Sequence, residues 1–311
     1  MHDTAVPNRR VRAPRLEEPA LSIEIMNPRM LERMRESCRM AAECLVMVGE
    51  HLRPGMATEE INTLVHEWTI AHGARPSPLH YGTPPFPKSV CTSVNACVCH
   101  GIPTPNEVLK DGDIINVDVT VYFPKENGFH GDTSATFYIG EPSDEAKHVV
   151  ETARWCLELG MRAVKEGARV RDIGRAIQDY AEGVGCTVVR DFVGHGVGRE
   201  FHMEPQIPHY FDVRAGKRLR RGMTFTIEPM VNLGTHHTEL LADRWTVLTR
   251  DRKLSAQFEH TLLCTRDGVE VLTARPAPLK NSEDKPWAKL GELSCAAALA
   301  ARGPAAVAAG E

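Results

Sequence analysis

The chain has no apolar run near the roughly 18 residues that a bilayer-spanning helix needs, and its arginine-bearing start (Arg9, Arg10, Arg12, Arg15) leads into no apolar stretch of the kind a secretion signal carries. It is expected neither to span a membrane nor to be exported. It also lacks an excess of one charge: 37 Lys plus Arg stand against 41 Asp plus Glu, for a net charge of −4. No bulk field therefore draws it to nucleic acid or anionic lipid. Its nine cysteines are an odd count without a paired framework, which reads as reduced thiols in a cytoplasmic protein. There is no P-loop and no nucleophile elbow. His66-Glu67 lacks the second histidine of H-E-x-x-H, and Cys97-x-Cys99-His100 has no second cysteine pair, so those cysteines are read as buried strand residues. Aromatics are sparse at 6%, but 42% hydrophobic residues in 311 suffice for a large core without staples.

What is present is a periodic, duplicated pattern. Residues 1–26, with Pro7, Pro14 and Pro19 among arginines, read as an extended arm. Asn27-Pro28 is an N-cap with proline at the first helical position, followed by Leu31, Met34, Cys38, Ala41, Leu45 and Val48 at helical spacing. Thr58 is expected to cap a second helix facing inward through Ile61, Leu64, Val65 and Trp68. Over Ile114–Tyr122, Ile115, Val117, Val119 and Val121 share one face of a strand while Asn116, Asp118 and Thr120 share the other. After a polar loop, Pro124–Gly128, a return strand is expected over Asp132–Ile139, closing an antiparallel hairpin. A helix follows from about Asp144 to Val164.

The second half repeats the first. Gly167…Ile173…Ile177…Tyr180…Gly185 overlays Gly55…Ile61…Val65…Trp68…Gly73 at an offset of 112, and Leu219 to Glu228 overlays Leu109 to Asp118 at 110. Two matches in one order at nearly one offset mark a duplicated half-domain. The implied architecture is a single α+β domain, its two halves related by a pseudo-two-fold, with strands central and helices outside. A site drawing on both halves lies between them. The Ala-rich tail, 276–311, carries no visible chemistry.

The polar strand positions carry the chemistry. Asp118 and Asp132 lie on the two strands of one hairpin and can converge on one sheet face, where they repel unless a proton or a cation lies between them. Glu228 repeats the pattern behind Thr224 and Thr226. Glu259 is expected to hold the place in the second half that Asp132 holds in the first. His195 sits between glycines in Gly194-His195-Gly196-Val197-Gly198, where backbone or ligand can approach the imidazole closely. Four carboxylates and one neutral imidazole suit two divalent cations, whose four charges they cancel, so that a bridging hydroxide becomes tolerable and nucleophilic. Oxygen-rich ligation with one histidine favours Mn²⁺, Fe²⁺ or Co²⁺ over a thiolate-type metal, with Zn²⁺ left open.

These segments, together with Lys88–Asn95, Cys99–Pro103, Asn116–Thr120, His130–Ser134, Phe201-His202 with Pro205, Phe225–Met230 and Ser255–Thr261, resemble type I methionine aminopeptidases over about residues 27–274. The resemblance implies the pita-bread fold for 27–275, between the arm and the tail. It implies metal ligation by Asp118, Asp132, His195, Glu228 and Glu259, with Asp132 and Glu259 bridging. Glu228 would also shuttle the proton of the attacking water, His202 would stabilise the tetrahedral intermediate, and His100 would position the substrate near its leaving nitrogen. The methionine pocket would be formed by Cys91, Phe201 and Trp245, with Tyr81 and Phe86. The implied cofactors are two divalent ions (Co, Mn, Fe or Zn). The implied partners are nascent polypeptide N-termini, with a transient ribosome contact, no nucleic acid, no membrane and a monomeric chain. Two departures stand out: a longer loop through Phe123–Asn127 and an extended Tyr81–Phe86 segment. The rivals are an Xaa-Pro aminopeptidase or prolidase of the same fold, and a non-catalytic binding protein, which predicts a lost ligand where all five positions are competent.

Overall fold

The computed structural model describes residues 23–282; residues 1–22 of the expected arm and 283–311 of the expected tail lie outside them. Helix α1 (Pro28–His51) begins as its sequence dictates, with the Asn27 side chain accepting from the Met30 amide at 3.0 Å, a cap that contributes about 1 kcal/mol. Met34, Cys38, Ala41, Leu45 and Val48 are fully buried. Leu31 is half-buried.

Helix α2 (Thr58–Ala71) differs in its cap. Ala57 is the N-cap, and the Glu60 carboxylate reaches back to accept from the Ala57 amide at 2.8 Å. The Thr58 hydroxyl is used elsewhere, donating to the Thr104 carbonyl and accepting from the Thr104 amide. A tertiary bond outcompetes the local one. Helix α3 (Asp144–Arg162) is capped by Ser143, and α4 (Val170–Gly183) repeats the α2 device, Asp172 accepting from the Arg169 amide at 2.9 Å.

The duplication is written in the backbone bonds. Gly55 N donates to Leu109 O, Leu109 N to Met56 O and Thr58 N to Glu107 O; Gly167 N donates to Leu219 O, Leu219 N to Ala168 O and Val170 N to Lys217 O. Each helix pair is tied by the same three bonds to the segment that leads into its carboxylate strand.

Among the described residues the main sheet has nine antiparallel strands. Its central order is Arg75–Pro76, Ile114–Phe123, Phe129–Tyr138, Glu259–Cys264, Thr224–Ile227, Gly194–Gly196, Met203–Ile207. The hairpin pairs over its whole length, Ile114↔Tyr138 to Phe123↔Phe129. The return strand starts three residues earlier than the sequence suggested, directly after the expected loop at 124–128. The halves meet where Glu259 pairs with Ser134 and His260 with Thr133. This corrects the expected equivalence of Glu259 and Asp132. Ile114↔Tyr138 corresponds to Thr224↔Leu263 in the second half, which makes Ser134 the counterpart of Glu259. The slip is two residues, so both carboxylates stay on the same pleat face.

α1 packs across the hairpin so closely that a Cβ on Gly131 would lie 2.4 Å from Ser37 O and 2.5 Å from Cys38 N. The apolar faces of the strands and of α1 to α4 form a main core, from Leu45 and Val117 to Ile177 and Phe258, with smaller clusters around Met34 and Phe129 and around Val98 and Met230. Met26 and Leu279, just outside the expected domain limits, are also buried. Among the described residues no helix is long and apolar enough to cross a membrane.

Candidate active site

The polar face of the hairpin and the strands of the second half close on one cavity of about 350 Å³, a size suited to a small ligand. All five expected ligands line it: Asp118, Asp132, His195, Glu228 and Glu259. So do the expected recognition residues His100 and His202, and the expected apolar wall of Cys91, Phe86, Phe201 and Trp245, with Tyr81 at the rim.

Asp132, His195 and Glu259 offer ligand atoms within 4.8 Å of one another. His195 Nε2 lies 3.6 Å from Asp132 Oδ2 and 3.5 Å from Glu228 Oε1. Two donors about 2.1 Å from one ion at a tetrahedral angle stand about 3.4 Å apart, so these spacings fit a shared cation. His195 Nδ1 lies 3.0 Å from the Gly196 carbonyl, which can only accept. That nitrogen carries the proton, and Nε2 turns a lone pair to the carboxylates. The flanking glycines are required by close approach: a Cβ on Gly194 would meet Thr226 O at 2.5 Å, and on Gly196 Glu204 O at 2.2 Å.

The electrostatics call for cations. Desolvation comes first in lifting Asp132 to about 7, against the hydrogen bonds from Thr120 and Thr133. Asp118, Glu228 and Glu259 are pushed well above the usual carboxylate range by desolvation and then by Asp132. Asp118 Oδ1 is enclosed without a hydrogen-bond donor. Among the described residues no lysine or arginine lines the cavity. Arg275 acts on Glu259 alone and only in part offsets its burial; four enclosed carboxylates so weakly compensated are costly, and a divalent ion relieves them as no neutral side chain does. Burial also lowers His195 and His100 to about 4, keeping both imidazoles neutral.

A surrounding set of side chains fixes the carboxylates. Thr120 donates to Asp132 Oδ1 at 2.7 Å, Thr226 to Glu228 Oε1 at 2.7 Å, and Gln257 Nε2 to Glu228 Oε2 at 3.3 Å. The Glu228 amide donates to Nε2 of the fully buried His209 at 3.1 Å. Gln257 and His209 were not singled out from the sequence. Gln257 sat inside a quoted motif without a role, and His209 had no periodic or motif signal. Phe192 and Met230 complete the apolar wall. His100 stands edge-on to Phe192 at 5.4 Å and to Trp245 at 5.9 Å. Cys97 and Cys99 form a short buried strand. The one close metal-donor cluster found among the described residues is that of Asp132, His195 and Glu259.

A curled antiparallel sheet flanked by paired helices, with carboxylates and one histidine converging at its seam, defines a metallopeptidase. Residues 32–266 match metallopeptidase family M24, and the chain belongs to that family. Within it, the chain is of the methionine aminopeptidase type I group. It is 52% identical over 252 residues to methionine aminopeptidase A of Synechocystis sp., covering 81% of this chain and 98% of that one. The crystal structure of a methionine aminopeptidase from Rickettsia prowazekii superposes with a TM-score of 0.77 at 44% identity, over 81% of this chain and 100% of that one. An X-Pro aminopeptidase from Thermotoga maritima, at 20% identity and a TM-score of 0.64 over 81% of this chain and 63% of that one, shares the fold alone.

Proposed function

We propose that the chain removes the N-terminal methionine from nascent proteins and peptides by hydrolysing the first peptide bond, with Asp118, Asp132, His195, Glu228 and Glu259 holding two divalent cations. The observation that carries this reading is the cavity itself: four carboxylates and a neutral imidazole at its floor, no lysine or arginine among the described residues of its lining, and an apolar slot of Phe86, Cys91, Phe201 and Trp245 beside them. When bound, the cations supply Lewis-acid charge that makes water nucleophilic at neutral pH.

The residues do the rest. Glu228, its two oxygens held by Thr226 and Gln257, accepts the proton of the attacking water and returns it to the leaving nitrogen. His202 donates to the carbonyl oxygen as negative charge develops there. His100, neutral in the wall, holds the substrate beside the leaving nitrogen. The slot takes an unbranched thioether, which apolar and aromatic walls suit. The free α-amino group meets the carboxylate cluster, which confines cleavage to the first residue, and a small second residue is expected.

Residues 27–275 constitute the catalytic unit. The protein acts as a monomer in the cytoplasm on emerging chains, in transient contact with the ribosome and without binding nucleic acid or membrane on its own account. The test is turnover of Met-Ala-Ser against a Gly-Pro peptide by metal-free protein reconstituted separately with Co²⁺, Mn²⁺, Fe²⁺ and Zn²⁺. Methionine release with at least one ion and no Gly-Pro cleavage is expected. Preference for the Gly-Pro peptide, or no methionine release with any ion, overturns the reading.

A further inference from the structure

We infer that Tyr81 is a positioning residue that fixes the tautomer of His202, its phenol donating to Nδ1 so that Nε2 carries the imidazole's proton into the cavity. The inference deepens the peptidase reading and rests on it for the role of His202. Tyr81 Oη lies 2.7 Å from His202 Nδ1. No other hydrogen bond to His202 is found among the described residues, so this contact sets the ring's polarity. Phe201 packs on both rings, 4.9 Å from Tyr81 and 4.3 Å from His202, which leaves the imidazole little freedom to turn.

The phenol is itself held by a clamped segment. His80 adopts φ 67°, its amide donates to Phe86 O, and Phe86 N donates to Tyr81 O, closing residues 80–86 on themselves. Trp245 Nε1 donates to Pro84 O at 3.0 Å. Gly82, at φ +75°, packs so closely that a Cβ there would stand 2.5 Å from Trp245 Cη2. The segment is pinned to a residue of the opposite half of the molecule, and Tyr81 is its projecting tip.

The polarity follows from chemistry. A phenol can donate or accept. If it accepts from Nδ1, Nε2 is left with a lone pair facing a carbonyl oxygen that is gaining negative charge. If it donates, Nε2–H faces that oxygen and stabilises it. Only the second arrangement serves the reaction.

The test uses the full chain, labelled with ¹⁵N-histidine and loaded with diamagnetic Zn²⁺, and reads the His202 ring nitrogens by long-range proton–nitrogen correlation, assigned by comparison with His202→Gln. In the unsubstituted protein His202 is expected as the Nε2–H tautomer. In Tyr81→Phe its resonances move toward a mixture of tautomers, while kcat on Met-Ala-Ser falls roughly tenfold, as for other supporting hydrogen bonds of a site, and KM changes by less than about twofold. An Nδ1–H tautomer in the unsubstituted protein, or a Tyr81→Phe protein that keeps both Nε2–H and the original kcat, overturns the inference. A tautomer change without loss of kcat also overturns it and leaves the peptidase reading intact. The expected tautomers in a protein that releases no methionine would instead overturn the peptidase reading.

Discussion

The two halves of the domain start from one frame and spend it differently. The first presents both of its carboxylates on a single uninterrupted hairpin, paired without a break from Ile114↔Tyr138 to Phe123↔Phe129. The second presents Glu228 just past the end of one strand and Glu259 at the start of another, separated by residues 229–258, an excursion that supplies two strands to each of two small three-stranded sheets and carries Trp245 to the cavity. It also supplies His195, Phe201 and His202 from the strand and turn before Glu228. The bonds that tie each helix pair to its strand are nevertheless the same in both halves. Duplication preserved the scaffold: one copy keeps its two carboxylates on an unbroken platform, with Phe86, Cys91 and His100 beside them, and the other adds His195, Phe201, His202 and Trp245.

That contrast can be broken most sharply at the two counterpart carboxylates. Glu228→Gln is expected to lower turnover by about 10²–10⁴ with the far-UV spectrum unchanged, and saturating metal should not restore it, because a proton carrier is lost. Asp118→Asn, its counterpart in the platform half, should recover activity as metal concentration rises. Equal recovery by both variants would sink the division of roles. A smaller effect is expected at Trp245→Ala: burying an aromatic wall is worth about 1.5–3 kcal/mol, so KM for Met-Ala-Ser should rise by roughly tenfold or more, and an unchanged KM would remove Trp245 from the pocket.

The platform half also predicts a pH signature. Asp132 is raised from its ordinary 3.8 to about 7, so in metal-free protein its neutral form contributes stability that is fully present below about 3.8 and is lost as pH rises through about 7. Metal-free Asp132→Asn should therefore melt higher than metal-free unsubstituted protein at pH 8, the advantage shrinking toward pH 4. Scanning fluorimetry across that range decides it, and an advantage that grows toward low pH contradicts the assignment. The smallest effects test the shared frame. Glu60→Ala and Asp172→Ala remove twin helix-cap contacts, each expected to cost about 1 kcal/mol and to add in the double variant because the sites are independent. Markedly unequal losses in urea titrations would mean that the halves no longer fold on equivalent terms.

The carboxylates were legible in the sequence because a strand's period of two sorts Asn116, Asp118 and Thr120 from Ile115, Val117 and Val119 without reference to anything distant. The duplication was legible because glycines and turn residues recur at one offset. What escaped depends on contacts between remote segments. Thr58 looked like a cap until Thr104 claimed its hydroxyl. Glu259 looked like the counterpart of Asp132 because order along the chain carries no register, and the pairing across the seam sets it two residues away. His209 supports Glu228 from nineteen positions upstream, through a bond to a backbone amide that leaves no trace in side-chain pattern. The cavity wall fell between these cases: Phe201 stood inside a recognisable motif, whereas the bond from Tyr81 to His202 spans 121 positions.

Gly131 gives the hairpin a further property. Its missing side chain lets the α1 backbone at Ser37 and Cys38 lie directly against the strand one residue from Asp132. The helix thus serves as a fixed stop for that carboxylate, and position 131 sets the permissible size of the joint. Even a methyl group there must either lift α1 from its seat or push Asp132 out of line. Sequence drift along this strand is therefore limited by its outer neighbour as well as by the chemistry on its inner face.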